Sequence, residues 1–328
     1  MSRYRVELLA PSALGELVPL MRHCFAMEVD EKYFRWKYLE NPAGPTLAFV
    51  AKDERGDVVA HEGLMPLRYS IGGESRTIHQ STDTMTHASH RRQGLFKLLA
   101  RAGYDHLGRA AFVTGFGGEM STPMLVSFGW HHVAVAPFYF RTWPQAKLAT
   151  MRRKRAPASY TVEPVPSGDN GPLLSLAGAA RNRTDAHIVL DDAFVGWKLR
   201  NPRFDYRTVV VRDASARLRG YLTYYLEGNR VMLFDIWADE DRSAESALFR
   251  WLDELVVRGM HKGIVIFAQR HRDLAARLLR HGFVTNPFRR GPLHRPLPFM
   301  VYWAAATDIE RYGKACAWST TPWDHDAV

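Results

Sequence analysis

THASHRRQGLFKLLARAGYDHLGRA, residues 86–110, is the stretch that decides the fold of this chain. Residues 78–86 read as a strand, and from Leu95 to Leu107 apolar residues recur at helical spacing, so the turn between them opens a helix. A helix start presents unpaired N–H groups and a partial positive charge, and Gly94 has no side chain to keep a bulky anion away. With Arg91 and Arg92 beside it, the turn predicts a pyrophosphate-binding site.

The spacing of this turn differs from that of other phosphate-binding loops. Neither G-x-x-x-x-G-K-[ST] nor G-x-G-x-x-G follows a strand, which argues against a nucleotide hydrolase or a dinucleotide-binding enzyme. The turn resembles the acyl-CoA loop of the GNAT acetyltransferases, R/Q-x-x-G-x-G/A: Arg91 and Gly94 match, and Phe96 departs from the pattern. The alternative is an ordinary strand-turn-helix with a capping glycine.

The next stretch favours the GNAT interpretation. A short apolar strand at 111–114 is followed by the glycine-rich turn 115–121 and by a short helix that ends at Phe128-Gly129-Trp130. Strand, basic glycine turn, long helix, strand, glycine-rich turn and short helix is the order typical of that family. Residues 133–140 are then expected to form the last strand of the unit.

The pattern returns in the second half of the chain. Gly196 to Pro202, GWKLRNP, echoes Arg35 to Pro42, RWKYLENP, and similar strands and helices follow it. At the position of the basic turn the second copy has Ala238 to Ser243, which contains three acids and no glycine, so it is not expected to bind CoA.

The predicted fold class is therefore α/β (α+β), with two tandem GNAT-like domains, each a mixed, mostly antiparallel sheet flanked by helices. We expect a GNAT domain with the acyl-CoA site at 1–147, a basic linker at 148–158, a degenerate GNAT-like domain at 159–306 and a C-terminal tail at 307–328. The tail either folds back over a pocket or projects from the domain.

Composition narrows the classes of function. The 328 residues are 46% hydrophobic, no window approaches 18 apolar residues, and the N-terminus has no apolar signal core, so a cytoplasmic protein with no membrane span is expected. Two distant cysteines, Cys24 and Cys316, give neither a disulfide framework nor a metal-binding spacing, and no metal is expected. The net charge of +10 comes without a nucleic-acid-binding motif, so no nucleic acid is expected. Basic patches either steer CoA phosphates to the site or are simply solvated.

The resemblance implies which residues bind the donor. GNAT enzymes hold acetyl-CoA, as co-substrate, between two splayed strands, where backbone N–H groups polarise the thioester carbonyl. Those donors are expected at the strand end near Met85, Thr86 and His87, while the N–H groups of the cradle turn, from Arg92 to Phe96, are expected to bind the pyrophosphate; Ser121 is one further contact. The expected donor-binding residues are Met85, Thr86, His87, Arg91, Arg92, Gln93, Gly94, Leu95, Phe96 and Ser121.

A base is needed to take the proton of the attacking ammonium. Glu119 is the first candidate, because it lies in the glycine-rich turn at the mouth of the splayed strands; the alternative is that it caps the helix that follows. Asp83, His79 and His87 are the next candidates, on or beside the central strand. Each of them also has a purely structural interpretation.

Two positions depart from the family. The tyrosine that often protonates the leaving thiolate corresponds to Leu125, and an asparagine common seven residues earlier corresponds to Gly118. Tyr139, Ser121 or solvent could substitute, and binding of acyl-CoA without turnover stays open.

The leading hypothesis is an acyl-CoA-dependent N-acyltransferase, in the first instance an acetyltransferase, that acts on a small amine such as an amino sugar of a polysaccharide or antibiotic pathway. Similar tandem architectures occur in aminoglycoside-acetylating proteins and in acyltransferases of surface polysaccharide pathways. The alternatives are a Fem-like aminoacyl transferase, which also pairs two such domains, and a non-catalytic acyl-CoA-binding or scaffold protein. A homodimer is possible.

Overall fold

Two sheets with helices on both faces form the framework of a computed structural model. It describes residues 3–118, 121–152, 160–181, 184–239, 242–270, 272–288, 290–291, 293–304 and 309–326. The strands, in chain order, are β1 (Arg5–Leu8), β2 (Leu47–Lys52), β3 (Val58–Ile71), β4 (Glu74–Thr86), β5 (Phe112–Phe116), β6 (His131–Ala136), β7 (Phe138–Thr142), β8 (Tyr160–Pro164), β9 (Ala186–Ile188), β10 (Arg207–Asp213), β11 (Leu218–Glu227), β12 (Arg230–Ala238), β13 (Gly263–Phe267), β14 (Val284–Thr285), β15 (Leu297–Trp303) and β16 (Trp318–Ser319).

The helices lie between these strands. In chain order they are α1 (Leu17–Phe25), α2 (Glu31–Tyr38), α3 (Leu95–Leu107), α4 (Thr122–Ser127), α5 (Trp143–Arg152), α6 (Gly171–Arg181), α7 (Asp192–Leu199), α8 (Arg242–Arg258), α9 (Asp273–Arg280) and α10 (Ile309–Tyr312). No helix in these described ranges is long and apolar enough to cross a membrane.

The two halves of the chain exchange strands between their sheets. The order in the first sheet is β1-β2-β3-β4-β5-β15-β6, with β9 on β3 and β16 on β9, and in the second it is β14-β7-β13-β12-β11-β10-β8. Strand β15 of the second half thus lies between β5 and β6, and β7 of the first half lies between β13 and β14. Along its main path each sheet has one parallel pair, β4 with β5 in the first sheet and β12 with β13 in the second. Each of these pairs lies beside the exchanged strand, β15 in the first sheet and β7 in the second.

This exchange corrects one prediction. Residues 133–140 were expected to be a single last strand of the first unit, but the chain forms β6 up to Ala136 and resumes as β7 at Phe138, in the other sheet. Pro137 separates the two strands, and proline donates no N–H to a ladder, so the run of β-forming residues can change sheets there. The predicted fold of two mostly antiparallel sheets flanked by helices is confirmed, while the residue limits of the two domains stay a prediction.

The duplication that the sequence indicates is visible in matching helix ends. Asp30 accepts a hydrogen bond from the N–H of Tyr33 to start α2, and Asp191 accepts one from Phe194 to start α7. The side chain of an asparagine then closes each following turn, Asn41 in one half and Asn201 in the other. Side-chain caps of this kind satisfy N–H groups that a helix leaves unpaired, so the same local chemistry is used twice.

Helices α2 and α7 meet in the middle of the molecule. The rings of Trp36 and Trp197 stack with centroids 5.0 Å apart, and each indole N–H donates to the backbone carbonyl of the other tryptophan at 2.8 Å. The contact is reciprocal, as a pseudo-twofold axis between the halves requires. Around it lies a core shared by the facing sides of the two sheets, and separate cores lie under α3 in the first half and under α8 in the second.

The C-terminal tail is packed into this shared core. Trp318 and Trp323 are almost fully buried. Arg272 donates to backbone carbonyls of Ala315 and Cys316, and Gln269 receives the N–H of Thr320. The tail also contacts the first half, where Tyr69 donates to Asp324, and its last described residues, His325 and Asp326, line a cavity, so it folds back over a pocket, one of the two arrangements expected from the sequence.

The tryptophan pair gives a test of how strongly the halves depend on each other. We expect Trp197→Ala to lower the free energy of unfolding by about 3 kcal/mol or more, because it leaves a cavity and removes the hydrogen bond that the Trp197 indole donates to Trp36. Urea denaturation measures this. The control is Phe288→Ala, whose side chain is 74% exposed and should change stability by less than about 0.5 kcal/mol. Equal losses in the two variants would contradict the importance of the pair.

Candidate active site

Strands β4 and β5 part to open a cavity of about 960 Å³. Their parallel pairing is confined to His79 with Val113 and Gln80 with Thr114, while both strands run on beyond it. On its other side β4 carries a bulge, since His61 faces Met85 but Gly63 faces Thr82. Two residues of β4, Asp83 and Thr84, are therefore opposite Glu62 alone, and Asp83 takes a left-handed φ of 49°.

The basic turn stands at one end of this cavity. Gly94 precedes α3 with a φ of 76°, a conformation that glycine adopts without strain, and a Cβ there would have nothing within 4 Å. The first helical bond runs from Leu98 N–H to Gly94 O at 3.0 Å. Within the described part of the chain no acceptor is found for the N–H groups of residues 94–97. These amides point a partial positive charge at an open site.

Most of the residues expected to bind the donor line the cavity. From β4 and the turn these are Met85, Thr86, Arg91, Arg92, Gly94, Leu95 and Phe96, and Ser121 joins them from the start of α4. His87 and Gln93 are not among the lining residues: the ring of His87 stacks on His23 at 3.8 Å, and Gln93 accepts a hydrogen bond from Tyr4. Arg91 also reaches back to the carbonyl of Thr86.

A buried ion cluster forms the opposite wall. The ammonium of Lys37 is completely buried and lies 2.8 Å from Asp83 and 3.2 Å from Asp326. It also donates to Tyr33, while Asp83 receives the hydroxyl of Tyr38 and Asp326 receives that of Thr82. Both carboxylates and Tyr33 line the cavity. One ammonium against two carboxylates gives the cluster of Lys37, Asp83 and Asp326 a net negative charge.

The cluster sets the protonation of its members. Burial acts to lower the pKa of Lys37, but Asp83, Tyr33 and Asp326 more than reverse this and raise it. Burial acts to raise the pKa of Asp326, but Lys37 and His325 hold it well below the ordinary value. Lys37 and Asp326 are therefore both ionised at neutral pH.

The second half reaches the same wall through its own lysine. Lys198, the counterpart of Lys37 in the repeat, donates from its Nζ to the backbone carbonyl of His325 at 2.6 Å. Burial lowers the pKa of Lys198 to about 7 and that of His325 to about 4, so both are mainly neutral at pH 8. The ring of His325 lines the cavity against Phe116. The tail is thus positioned from both halves.

A second polar group lies at the point where β4 and β5 begin to part. Ser81 donates to one carboxylate oxygen of Glu62 and Thr84 to the other, both at 2.6 Å. Glu62 is fully buried, and burial raises its pKa to about 7 although the two hydroxyls act to lower it. Ser81 and Thr84 line the cavity, with Leu125 and Trp130 on the neighbouring wall.

The candidate bases from the sequence fall in different places. Asp83 is in the cavity wall, whereas His79 and His87 are not among the residues that line it, and Glu119 lies outside the described residues. Of the candidate acids, Ser121 lines the cavity, but Tyr139 lies on β7 in the second sheet. Tyr33 lines the cavity, and burial raises its pKa to about 12, so it stays protonated.

Several residues in or near this site were not predicted from the sequence to be functional. Lys37 and Lys198 stand beside the repeated tryptophans, so their repetition was the available signal. Glu62 is an acid inside a long apolar strand, which is a second such signal. Nothing local marks His325 and Asp326, because their partners are far away along the chain. In the described ranges no group of three or more His, Cys, Asp or Glu side chains is arranged to hold a metal ion.

Residues 5–133 match a family model described as an acetyltransferase (GNAT) domain. A search of curated protein sequences finds no significant match.

Similar solved structures include a probable N-acyltransferase of unknown function from Enterococcus faecalis V583, with a TM-score of 0.71 and 12% identity over 94% of this chain and 75% of that one. A GCN5-related N-acetyltransferase from Anabaena variabilis gives 0.68 and 13%, also over 94% and 75%. N-myristoyltransferase from Saccharomyces cerevisiae, solved with bound myristoyl-CoA, gives 0.61 and 12% over 92% and 79%. At these identities the likeness concerns the fold.

Residues 5–133 are thus similar to a GNAT acetyltransferase domain, and the two-sheet fold is like that of solved N-acyltransferases.

Proposed function

We propose that this protein is an acyl-CoA-dependent N-acyltransferase that transfers an acyl group, in the first instance acetyl, to a small-molecule amine. The observation that carries the proposal is the opposite polarity of the two ends of one cavity. The end at Gly94 offers amide N–H groups and arginines, and the wall at Asp83 and Asp326 has a net negative charge. The first suits the phosphates of CoA, and the second suits an ammonium.

The acyl-CoA donor would bind along β4 and β5, where these strands part. The diphosphate of CoA would sit on the amides of residues 94–97, where Arg91 and Arg92 add positive charge. Its pantetheine would then run between β4 and β5, where β4 has no pairing partner beyond Gln80 on that side within the described residues. The thioester would reach the bulge at Asp83.

The acceptor amine would bind at the ion cluster of Lys37, Asp83 and Asp326. An amine arrives mainly as an ammonium, which the negative wall attracts and which loses one proton to water. The neutral amine then attacks the thioester carbonyl, amide N–H groups of the bulge region stabilise the oxyanion, and Asp326, with Asp83 beside it, accepts the proton that the nitrogen of the tetrahedral intermediate gives up. Tyr33, protonated and on the same wall, replaces the missing tyrosine at Leu125 as donor to the leaving thiolate.

The nature of the acceptor is proposed from chemistry and resemblance. A wall with one uncompensated negative charge fits an amine without a carboxylate of its own, and an amino sugar is such an amine. The second candidate function is acyl-CoA binding without turnover, which Leu125 at the tyrosine position favours.

Two measurements test the function. Acetyl-CoA and CoA should raise the melting temperature in a thermal-shift titration, because a ligand that binds only the folded state stabilises it. Release of free thiol from acetyl-CoA should then depend on added amine across a panel that includes glucosamine. Stabilisation without any thiol release would favour the non-catalytic candidate, and no stabilisation by either compound would contradict both.

The cradle can be tested with a matched pair of substitutions. We expect Gly94→Asp to weaken CoA binding at least tenfold, roughly 1.4 kcal/mol, because its carboxylate would face the diphosphate. Gly94→Asn is the control: it has the same shape, tolerates the positive φ and carries no charge. Isothermal titration calorimetry measures both. Equal affinities of the aspartate and asparagine variants would show that the diphosphate binds elsewhere.

The acceptor wall can be tested at Asp326. We expect Asp326→Asn to lower kcat about a hundredfold or more, the range of general base catalysis, while CoA affinity stays within about twofold. Asp105→Asn, with a side chain 76% exposed on α3, is the control and should keep full activity. A kcat within threefold of the wild type for Asp326→Asn would exclude this carboxylate as the proton acceptor.

The pH dependence of kcat/KM should come from the deprotonation of the acceptor amine. Because Lys37 and His325 keep the pKa of Asp326 low, this carboxylate is already ionised when the amine begins to lose its proton. The rise of kcat/KM with pH should therefore shift to lower pH when glucosamine replaces a more basic alkylamine. A rise at one fixed pH for both amines would instead assign it to a protein group such as Lys198.

A further inference from the structure

We infer that the acyl group carried by this protein bears a hydrogen-bond donor, a hydroxyl or an amino group, which the hydroxyl oxygens of Ser81 and Thr84 accept. The inference rests on the proposed function, since it assigns the narrow end of the same cavity to the acyl group of a CoA thioester. It goes further by naming the chemical class of the preferred acyl group, for which acetyl, having no such donor, is the simplest test substrate and not the preferred one.

The location follows from where the two strands part. Their pairing stops at Gln80 and Thr114, and Ser81 and Gly115 are the next residues on each side. A Cβ on Gly115 would lie 3.6 Å from the Cβ of Ser81 and 3.5 Å from the ring of Trp130. The glycine thus keeps open the narrow point at which a chain held between the strands ends.

The polarity of this point follows from the hydrogen bonds of Glu62. Each hydroxyl has a single hydrogen, and Ser81 and Thr84 donate theirs to different oxygens of the same carboxylate. Toward a ligand in the cavity the two hydroxyls can therefore only accept hydrogen bonds. Their oxygens are 3.4 Å apart, so one donor group can reach both. The carboxylate behind them strengthens this preference for a donor.

The surroundings make the preference matter. Leu125 and Trp130, both largely buried, form the adjoining wall, so the point is poorly accessible to water once a ligand fills the cavity. A plain alkyl chain would cover the two oxygens without replacing their hydrogen bonds, which costs binding free energy. A hydroxyl or ammonium on the chain would satisfy them. Burial raises the pKa of Glu62 to about 7, and the carboxylate is mostly ionised at pH 8.

The test compares matched pairs of thioesters by calorimetry at pH 8. The pairs are 3-hydroxybutyryl-CoA with butyryl-CoA, and β-alanyl-CoA with propionyl-CoA. We expect the substituted member of at least one pair to bind about tenfold tighter, which corresponds to roughly 1.4 kcal/mol. Equal or weaker binding of both substituted thioesters would overturn the inference.

Substitutions locate the effect. Ser81→Ala and Thr84→Val each leave Glu62 one hydroxyl partner, and each should reduce the preference to threefold or less, because the substituted thioester loses an acceptor and the unsubstituted one no longer covers an unpaired oxygen there. Ser127→Ala, on the exposed end of α4, is the control and should keep the full preference. If neither variant folds, the thioester pairs on the wild-type protein still decide the matter. A preference that survives in folded Ser81→Ala and Thr84→Val would contradict the assignment to these hydroxyls.

Failure of the inference is distinguishable from failure of the proposed function. If CoA and all four thioesters bind without discrimination, the donor site stands and the inference about the acyl group falls. If neither CoA nor any thioester binds, the proposed function falls, and the inference falls with it.

Discussion

The ammonium of Lys37 is buried completely, and a buried charge is tolerated only if opposite charges and hydrogen bonds surround it. Its partners come from three separate parts of the chain: Asp83 in the bulge of β4, Tyr33 one turn earlier in α2, and Asp326 in the tail. Satisfying this one group therefore fixes the bulge, the helix and the tail relative to each other. The same arrangement turns two carboxylates toward the cavity, so a structural requirement also shapes the proposed acceptor site.

The two halves depend on each other in the same region. Trp36 is next to Lys37, and Trp197 is next to Lys198, so the reciprocal indole contact places both lysines beside the tail. The exchange of β7 and β15 between the sheets also makes the halves depend on each other, because neither sheet is complete without a strand from the other half. The tail contacts both halves before the side-chain carboxylate of Asp326 reaches the cavity. The second half thus supports the first half's site by positioning the tail.

Local chemistry was readable from the sequence, and long-range partners were not. The turn from Arg91 to Phe96 could be predicted because a glycine at a helix start and the strand before it are neighbours in the chain. The duplication could be predicted because the W-K and N-P pairs recur. The sheet change at Pro137 could not, since an apolar run gives no sign of which sheet it joins. Lys37 and Asp326 are 289 positions apart, so no pattern links them. A lysine on a short helix is ordinarily expected on the surface.

The central claim is that one end of the cavity binds the diphosphate of CoA through the amides that open α3. Hydrogen–deuterium exchange of the amides of residues 94–97, measured with and without saturating CoA, tests it most directly. CoA should slow exchange of these amides at least tenfold, because they gain hydrogen-bond acceptors that the described residues of the folded chain do not supply. Unchanged exchange at 94–97 in the presence of bound CoA would contradict it.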